Sequence, residues 1–355
     1  MTVYDNALRF WEYFEYNEKD LLQALEAHDY PVLREVLGKV DERLYKYTGA
    51  HFFVEDVADQ PEMTFDTGPN KTIQYLAQYF AGLAPENVRK TWIINPLLPP
   101  LSQKAIEAAV KIKDEEYALT DFTVFYTVDE KAQMFSLEVY CPGFGLIGNP
   151  EYKREMALYL VETAIGETAY EAYIAHIEAI DKPGTAENFC NLVDLYEVVE
   201  QTAEKLGWKH YTSALDIYSV YQPFQDIAHD ALRKDMKIIF TTHPLLAEES
   251  LGEGQDVLLD LEAKGGEYGY VYYINPLEGK DNALFRQQLA RQLGTEMEKI
   301  HAAQVIGGAM GKSYSYIDLI VYDIPRFEQA FEQLQKQLHD KVEMYFKPFR
   351  EGNGV

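Results

Sequence analysis

The sequence predicts an α+β protein of two related domains, each a mainly antiparallel sheet with helices packed on it. Three observations carry that expectation. Residues 91–97 read Thr-Trp-Ile-Ile-Asn-Pro-Leu and residues 271–277 read Val-Tyr-Tyr-Ile-Asn-Pro-Leu, so Ile94-Asn95-Pro96-Leu97 returns as Ile274-Asn275-Pro276-Leu277 half a chain later. In each copy a β-favouring run is stopped by Asn-Pro, because proline lacks a ladder donor and holds the residue before it out of helix. The order of signals around each copy is also shared: strand, Asn-Pro-Leu, helix, two strands, proline-started helix, strand. This is the βαββαβ order of an elaborated ferredoxin-like plan, read here as an internal duplication. Finally, 355 residues exceed the usual single domain, and Asp181-Lys182-Pro183-Gly184-Thr185 supplies a linker. The expected domains are 1–185, opened by a helical hairpin, and 186–355.

Taken in order, residues 5–27 form a helix whose apolar stripe includes Phe10, Trp11, Phe14 and Leu21, with Asp5 or Asn6 as candidate cap. Asp29-Tyr30-Pro31 breaks it, and Leu33, Val36, Leu37, Val40 and Leu44 mark a second helix. Strands follow at 50–56 and 62–67, a helix at 70–82, the first repeat strand at 90–95 and a helix at 101–112. Two β-favouring runs at 121–128 and 133–141 flank Asp129-Glu130-Lys131 as a hairpin. Asn149 caps and Pro150 opens a helix over 150–165, which stops before Gly166, and 169–180 reads as a strand.

In the second half a helix over 187–206 ends at Gly207, and another starts near Pro223. Strands are expected at 237–242, 256–263 and 268–274, then a helix at 281–299. Strands at 302–307 and 314–322 precede a helix that opens at Pro325 behind Asp323, with Phe327, Phe331, Leu334 and Leu338 in its stripe. The run Val342–Phe346 closes the chain as a strand.

Hydrophobic residues make up 47% of the chain, enough for a core in each half, and the 27 tyrosines suit strands with one wet face. Acidic residues outnumber basic ones 58 to 32, giving a net charge of −26. A field of that sign repels nucleic-acid phosphates and anionic lipid, keeps the protein in solution, and favours a basic protein partner. Cys141 and Cys190 have no metal or redox spacing and fit reduced thiols in a cytoplasmic protein. No charged leader with an apolar core opens the chain, and no apolar run reaches membrane length, so no membrane association is expected.

The stretch Ile306-Gly307-Gly308-Ala309-Met310-Gly311-Lys312-Ser313 is the candidate anion site, with Gly307, Gly308, Gly311, Lys312 and Ser313 as its ligand-binding residues. A phosphate-cradling loop needs a glycine where Ile306 stands and a helix after Ser313. Tyr314–Val321 is β-favouring instead, so the glycines also read as a hairpin turn or bulge. The eight histidines show no paired spacing, and neither a metal nor a cofactor is expected. His51 and His176 read as structural residues on strands. Asp260 and Glu262 would share one strand face, where an acid/base pair is conceivable in principle but a solvated pair is favoured, and Glu167 reads as a turn residue rather than a catalyst.

The Phe-Trp-x-x-Phe opening (Phe10-Trp11-Glu12-Tyr13-Phe14), the strand opened by Trp92-Ile93-Ile94 and the Gly166-Glu167 entry to a closing strand are three motifs within residues 8–180. In them the chain resembles a group of bacterial cytosolic proteins of unknown function. That resemblance implies the α+β fold of the first domain and carries no activity. The function expected from the sequence is that of a non-catalytic binding or regulatory protein with an acidic surface. The alternative is an enzyme with a site in the cleft between the domains and no linear motif.

Overall fold

The structure, a computed structural model, describes residues 1–55, 60–102, 108–223, 232–252 and 254–350. It is a mixed α+β protein whose sheets are mostly antiparallel. Two compact units interleave in sequence. The first holds Met1–Phe52, Asn70–Trp92 and Tyr218–Val355; the second holds Phe53–Pro69 and Ile93–Ile217. The sequence reading places one boundary at 185–186. In the structure the 181–185 stretch lies inside the second unit, where Asp181 pairs with Lys153 and Gly184 lies against Phe125.

Local chemistry starts most helices. Helix α1 (Val3–Glu26) begins behind Thr2, whose hydroxyl accepts from Asp5 N at 3.2 Å while the Asp5 carboxylate accepts from Thr2 N at 3.1 Å. This capping box precedes the expected cap. Asp29 caps α2 (Tyr30–Thr48), which ends at a left-handed Gly49. Strands β1 (His51–Glu55) and β2 (Glu62–Asp66) lead to α3 (Lys71–Gly82), capped by Asn70, then α4 (Glu86–Thr91) and β3 (Ile93–Asn95). Two hairpins follow, β4 (Ala109–Ile112) with β5 (Glu115–Ala118) and β6 (Thr123–Asp129) with β7 (Met134–Tyr140). Asn149 caps α5 (Pro150–Tyr173); β8 (Ile174–Ile180), β9 (Phe189–Asn191) and α6 (Leu195–Leu206) complete the second unit. The rest of the chain forms β10 (Ser219–Tyr221), β11 (Met236–Thr241), α7 (Pro244–Leu251), α8 (Asp256–Ala263), β12 (Glu267–Ile274), α9 (Gly279–Lys299), β13 (Ala303–Gly311), β14 (Tyr314–Val321), α10 (Ile324–Leu338) and β15 (Tyr345–Pro348).

In the first unit six strands pair in the order β10-β11-β13-β14-β12-β15, all antiparallel. The run β12-α9-β13-β14-α10-β15 therefore has its strands in spatial order 4-1-3-2, with β10 and β11 added beyond β13. Strand alternation splits the side chains of β12. Val271 and Tyr273 enter a core with Leu289, Leu293 and Met297 of α9 and Phe327, Phe331 and Leu334 of α10. Tyr270 joins Tyr316, Met236, Ile239 and Ala309 in a second cluster. The aromatic residues of α1 pack separately: Phe10 and Trp11 lie edge to face at 4.9 Å, Phe14 and Trp92 at 5.5 Å, and Trp11 Nε1 donates to Phe80 O at 2.8 Å. Each ring buried this way contributes about 1.5–3 kcal/mol.

The second unit holds a four-stranded sheet in the order β8-β7-β6-β9, with β7 and β8 parallel, covered by α5 and α6. Its core centres on Phe122, Phe135, Leu137, Val161, Leu195 and Trp208. Strands β2 and β3 also run parallel. Among the described residues no helix is long and apolar enough to cross a membrane.

Several expectations are corrected. The two Asn-Pro-Leu stretches end dissimilar strands: β3 has three residues and pairs in parallel with β2, whereas β12 has eight and is antiparallel to both neighbours. The tetrapeptide marks two local strand ends. Residues 256–263 form a helix, because Leu258 and Leu261 bury at a spacing of three and short apolar runs are ambiguous between the two periods. The strand expected from 169 starts only at Ile174, since Ala169, Ala172 and Tyr173 still bury one helical face. Residues 109–112 are β4, not helix, and 189–191 are β9; the expected helix at 101–112 otherwise falls partly, and that near Pro223 largely, outside the described residues.

Gly166 breaks α5 with φ 76° and ψ 157°, and a Cβ there would sit 2.7–2.8 Å from backbone atoms of Leu98, Pro99 and Pro100. Gly166→Ala is expected to lower the urea unfolding free energy by more than about 1 kcal/mol. Gly38→Ala, on open helix surface in α2, is expected to raise it by about 0.5–1 kcal/mol. Equal effects at the two sites would refute the strain assigned to Gly166.

Candidate functional site

The five residues of the expected anion site divide between two places. Gly307 and Gly308 lie within β13, at a register shift against β14, while Lys312 and Ser313 make the turn between those strands. No helix follows Ser313. The amides of this turn already hold an anion, the chain's own: Asp235 Oδ2 accepts from Ser313 N at 2.8 Å and Tyr314 N at 3.0 Å, and Oδ1 accepts from the Tyr316 hydroxyl at 2.5 Å. Gly311 permits this approach, because a Cβ there would lie 2.2 Å from Asp235 Oδ2. Gly311, Lys312 and Ser313 also border an open cavity of about 620 Å³, together with Asn275 and Asn282.

Gly307 and Gly308 serve a different pocket. A cavity of about 510 Å³ lies where α9 faces the strands added beyond β13. Its wall is one row of α9, Arg286, Ala290, Gly294 and Glu298, each four residues from the last and hence on one helical face. Its floor is Phe240 of β11 with Val305 and Gly307 of β13. The row exists because the neighbouring face of α9 is anchored by Leu289, Leu293 and Met297 in the core. Gly294 lets the helix lie close, since its Cβ position is 3.3 Å from Val305 Cγ2.

Arg286 is the unusual residue of the pocket. It is only 9% exposed, and among the described residues it makes no hydrogen bond or ion pair. Its Nε is sealed without an acceptor, which leaves the Nη end of the guanidinium to meet the cavity. Space for it comes from Gly308, where a Cβ would lie 2.8 Å from Arg286 Nη1, and its charge stands over the Phe240 ring at 5.1 Å. Burial pushes its ionisation downward, although a guanidinium keeps its proton in proteins. Asp318, the nearby carboxylate, is engaged by Arg233 at 2.7 Å. The contrast is informative. Arg233 is equally buried and its Nε also lacks an acceptor, but its charge is paired with Asp318 and rests over Phe349 at 4.5 Å, so it is a structural cation. An unpaired buried charge costs several kcal/mol, a cost that a bound anion would offset.

Other candidates have structural partners. Asp260 and Glu262 lie on α8 and pair with Lys264 and, at 2.5 Å, Arg350. His51 bonds Asp41 at 2.8 Å. Cys141 and Cys190 are both free thiols held upward by burial, Cys190 to about 12. No group of three or more acidic, histidine or cysteine side chains among the described residues is placed to hold a metal.

Three residues with strongly shifted ionisation are not singled out for it by the sequence. Glu167, taken there for a turn residue, is 1% exposed and accepts from the Thr67 hydroxyl at 2.8 and 3.0 Å; burial pushes its carboxyl up to about 8. Glu162 rises to about 7 through burial, with Asp66 and Glu171 adding to it. His243 caps α7 through Nδ1, which accepts from Leu246 N at 3.2 Å, and burial lowers it to about 3. Comparison of the chain with known protein families, with curated proteins and with solved structures finds no match.

The buried carboxyls set a pH dependence. Between the ordinary carboxyl value of 4.5 and about 8 the folded chain keeps a proton on Glu167 that the unfolded chain has lost. Stability from this residue is therefore complete below 4.5, falls as pH rises and levels off above about 8. Glu167→Gln is expected to raise the melting temperature at pH 9 and to change it little at pH 4, read by thermal unfolding across pH. A constant offset at every pH would contradict the assignment.

Proposed function

We propose that the chain is a non-catalytic binding protein whose ligand is a small anion seated on Arg286. The observation that carries this reading is a buried guanidinium with no hydrogen bond or ion pair among the described residues, on the wall of a cavity of about 510 Å³. That volume lies in the range of small-molecule sites, which combine apolar walls with a few placed polar groups. Arg291, Gln287 and Thr295 stand beside Arg286 along α9 and extend the polar part of the lining. Within contact distance and low dielectric the guanidinium outweighs the long-range repulsion of a chain carrying −26. The same net charge favours basic protein partners over nucleic acids. The β12–β15 run that frames the pocket is read as an elaborated ferredoxin-like plan.

A binding residue and a structural one respond oppositely to removal. Arg286→Met keeps the volume and loses the buried charge, so it is expected to stabilise the ligand-free protein by about 1–4 kcal/mol. Wild-type protein is expected to gain about 2.7 kcal/mol of stability at an anion concentration one hundred times its Kd, and the variant none. Thermal unfolding with and without acetate, inorganic phosphate or sulfate measures both. A variant that melts lower than wild type, and wild type indifferent to every carboxylate and oxyanion tried, would overturn the reading.

A further inference from the structure

The pocket that holds Arg286 is a groove with opposite charges at its two ends. Arg286 and Glu298 occupy the same row of α9, separated by three four-residue steps, or roughly 18 Å along the axis at 1.5 Å per residue. Between them in the row stand Ala290 and Gly294, facing Phe240 and Val305 of the sheet, and the polar Gln287, Arg291 and Thr295 of α9 border the same cavity. Among the described residues Glu298 has no cation within ion-pair distance; the neighbouring Lys299 pairs with Glu296. A surface carboxylate is ordinarily just solvated, and Glu298 alone would carry no meaning. Its position does, because it faces the same cavity as an unpaired buried cation.

Resting on the anion-binding reading above, we infer that the ligand is an extended zwitterion, with its carboxylate on Arg286, an apolar or backbone body between α9 and β13, and an ammonium group at Glu298. Each end supplies the charge that the other lacks. A compact oxyanion fills one end and leaves the rest of the cavity empty; a simple fatty carboxylate fills the length but leaves Glu298 without a partner. Two kinds of molecule have the right chemistry, an ω-amino acid with a long methylene chain and a short peptide with free termini. An extended pentapeptide spans about 17 Å, comparable to the distance between the two residues.

The test measures Kd by calorimetry on the full chain with acetate, dodecanoate, ω-aminododecanoate and pentaglycine, for wild type and Glu298→Gln. Glu298 is exposed, so this substitution is expected to leave the fold intact. At least one of the two zwitterions is expected to bind wild type about tenfold or more tighter than dodecanoate, and Glu298→Gln to erase that advantage while leaving dodecanoate unchanged. Which zwitterion binds better identifies the source of the ligand. Ala290→Leu, which narrows the middle of the groove, is expected to weaken the long ligands and spare acetate. If dodecanoate matches both zwitterions, or Glu298→Gln changes nothing, the zwitterion is wrong while anion binding at Arg286 stands. If no compound binds wild type, both readings fall together.

Discussion

A buried chain of hydroxyl groups and one imidazole holds the first unit together. His243 Nδ1 accepts from the backbone, so its Nε2 carries the proton and donates to Thr72 Oγ1 at 3.1 Å; the Thr72 hydroxyl in turn reaches Tyr268 at 2.9 Å. Beside it Tyr75 donates to Thr242, whose own proton goes to Ile306 O at 2.9 Å. These bonds fasten α3, an isolated return of the chain at residues 70–92, to β11, β12 and β13. A network this deep is costly unless every member is satisfied, and then it fixes a unique arrangement. Helix α1 depends on it at one remove, through Trp11 on Phe80.

On the far side of the same sheet the geometry is looser, and that is where the pocket forms. Helices α9 and α10 cover the four strands β13, β14, β12 and β15, while β10 and β11 carry the sheet past the edge of α9. A sheet wider than its helical cover leaves a trough along the last helix. The glycine-rich stretch of β13 makes room for side chains at two separate places, the trough and the turn into β14. Gly308 makes room for a guanidinium and Gly311 makes room for the Asp235 carboxylate, so one strand admits opposite charges without itself being charged.

How much of this was legible in the sequence follows from the range over which each feature is decided. Helix α10 behind Asp323, α6 before Gly207 and the β6–β7 hairpin were readable because caps, glycine stops and alternation act within a few residues. The apolar run of α8 was not, since eight residues fit either period until a neighbour claims a face. Asn-Pro-Leu was a faithful sign of a strand end and a poor sign of repetition, because the same local chemistry serves a parallel edge and an antiparallel centre. The candidate site was half visible. The glycines drew notice, but Arg286 sits in α9 as one of several ordinary charged residues, and only tertiary burial separates it from Arg291. Glu167 was hidden in the same way.

The interleaved layout bears on how the chain matures during synthesis. Thr2 meets Asp323, 321 residues further on, and the amide of Tyr4 donates to Tyr322 O. At about 5–20 residues per second a ribosome needs roughly 15–60 s between making these two ends. The aromatic partners of α1 come early, since Phe10, Trp11 and Phe14 meet one another, Phe80 and Trp92, and only its N-terminal contacts wait for residues 322 and 323. Residues Ile93–Ile217, which supply most of the second unit, emerge meanwhile as an unbroken stretch. The order of emergence therefore favours completion of the inserted unit first, with the start of α1 the last part of the helix to be tied down, once the residues after β14 arrive.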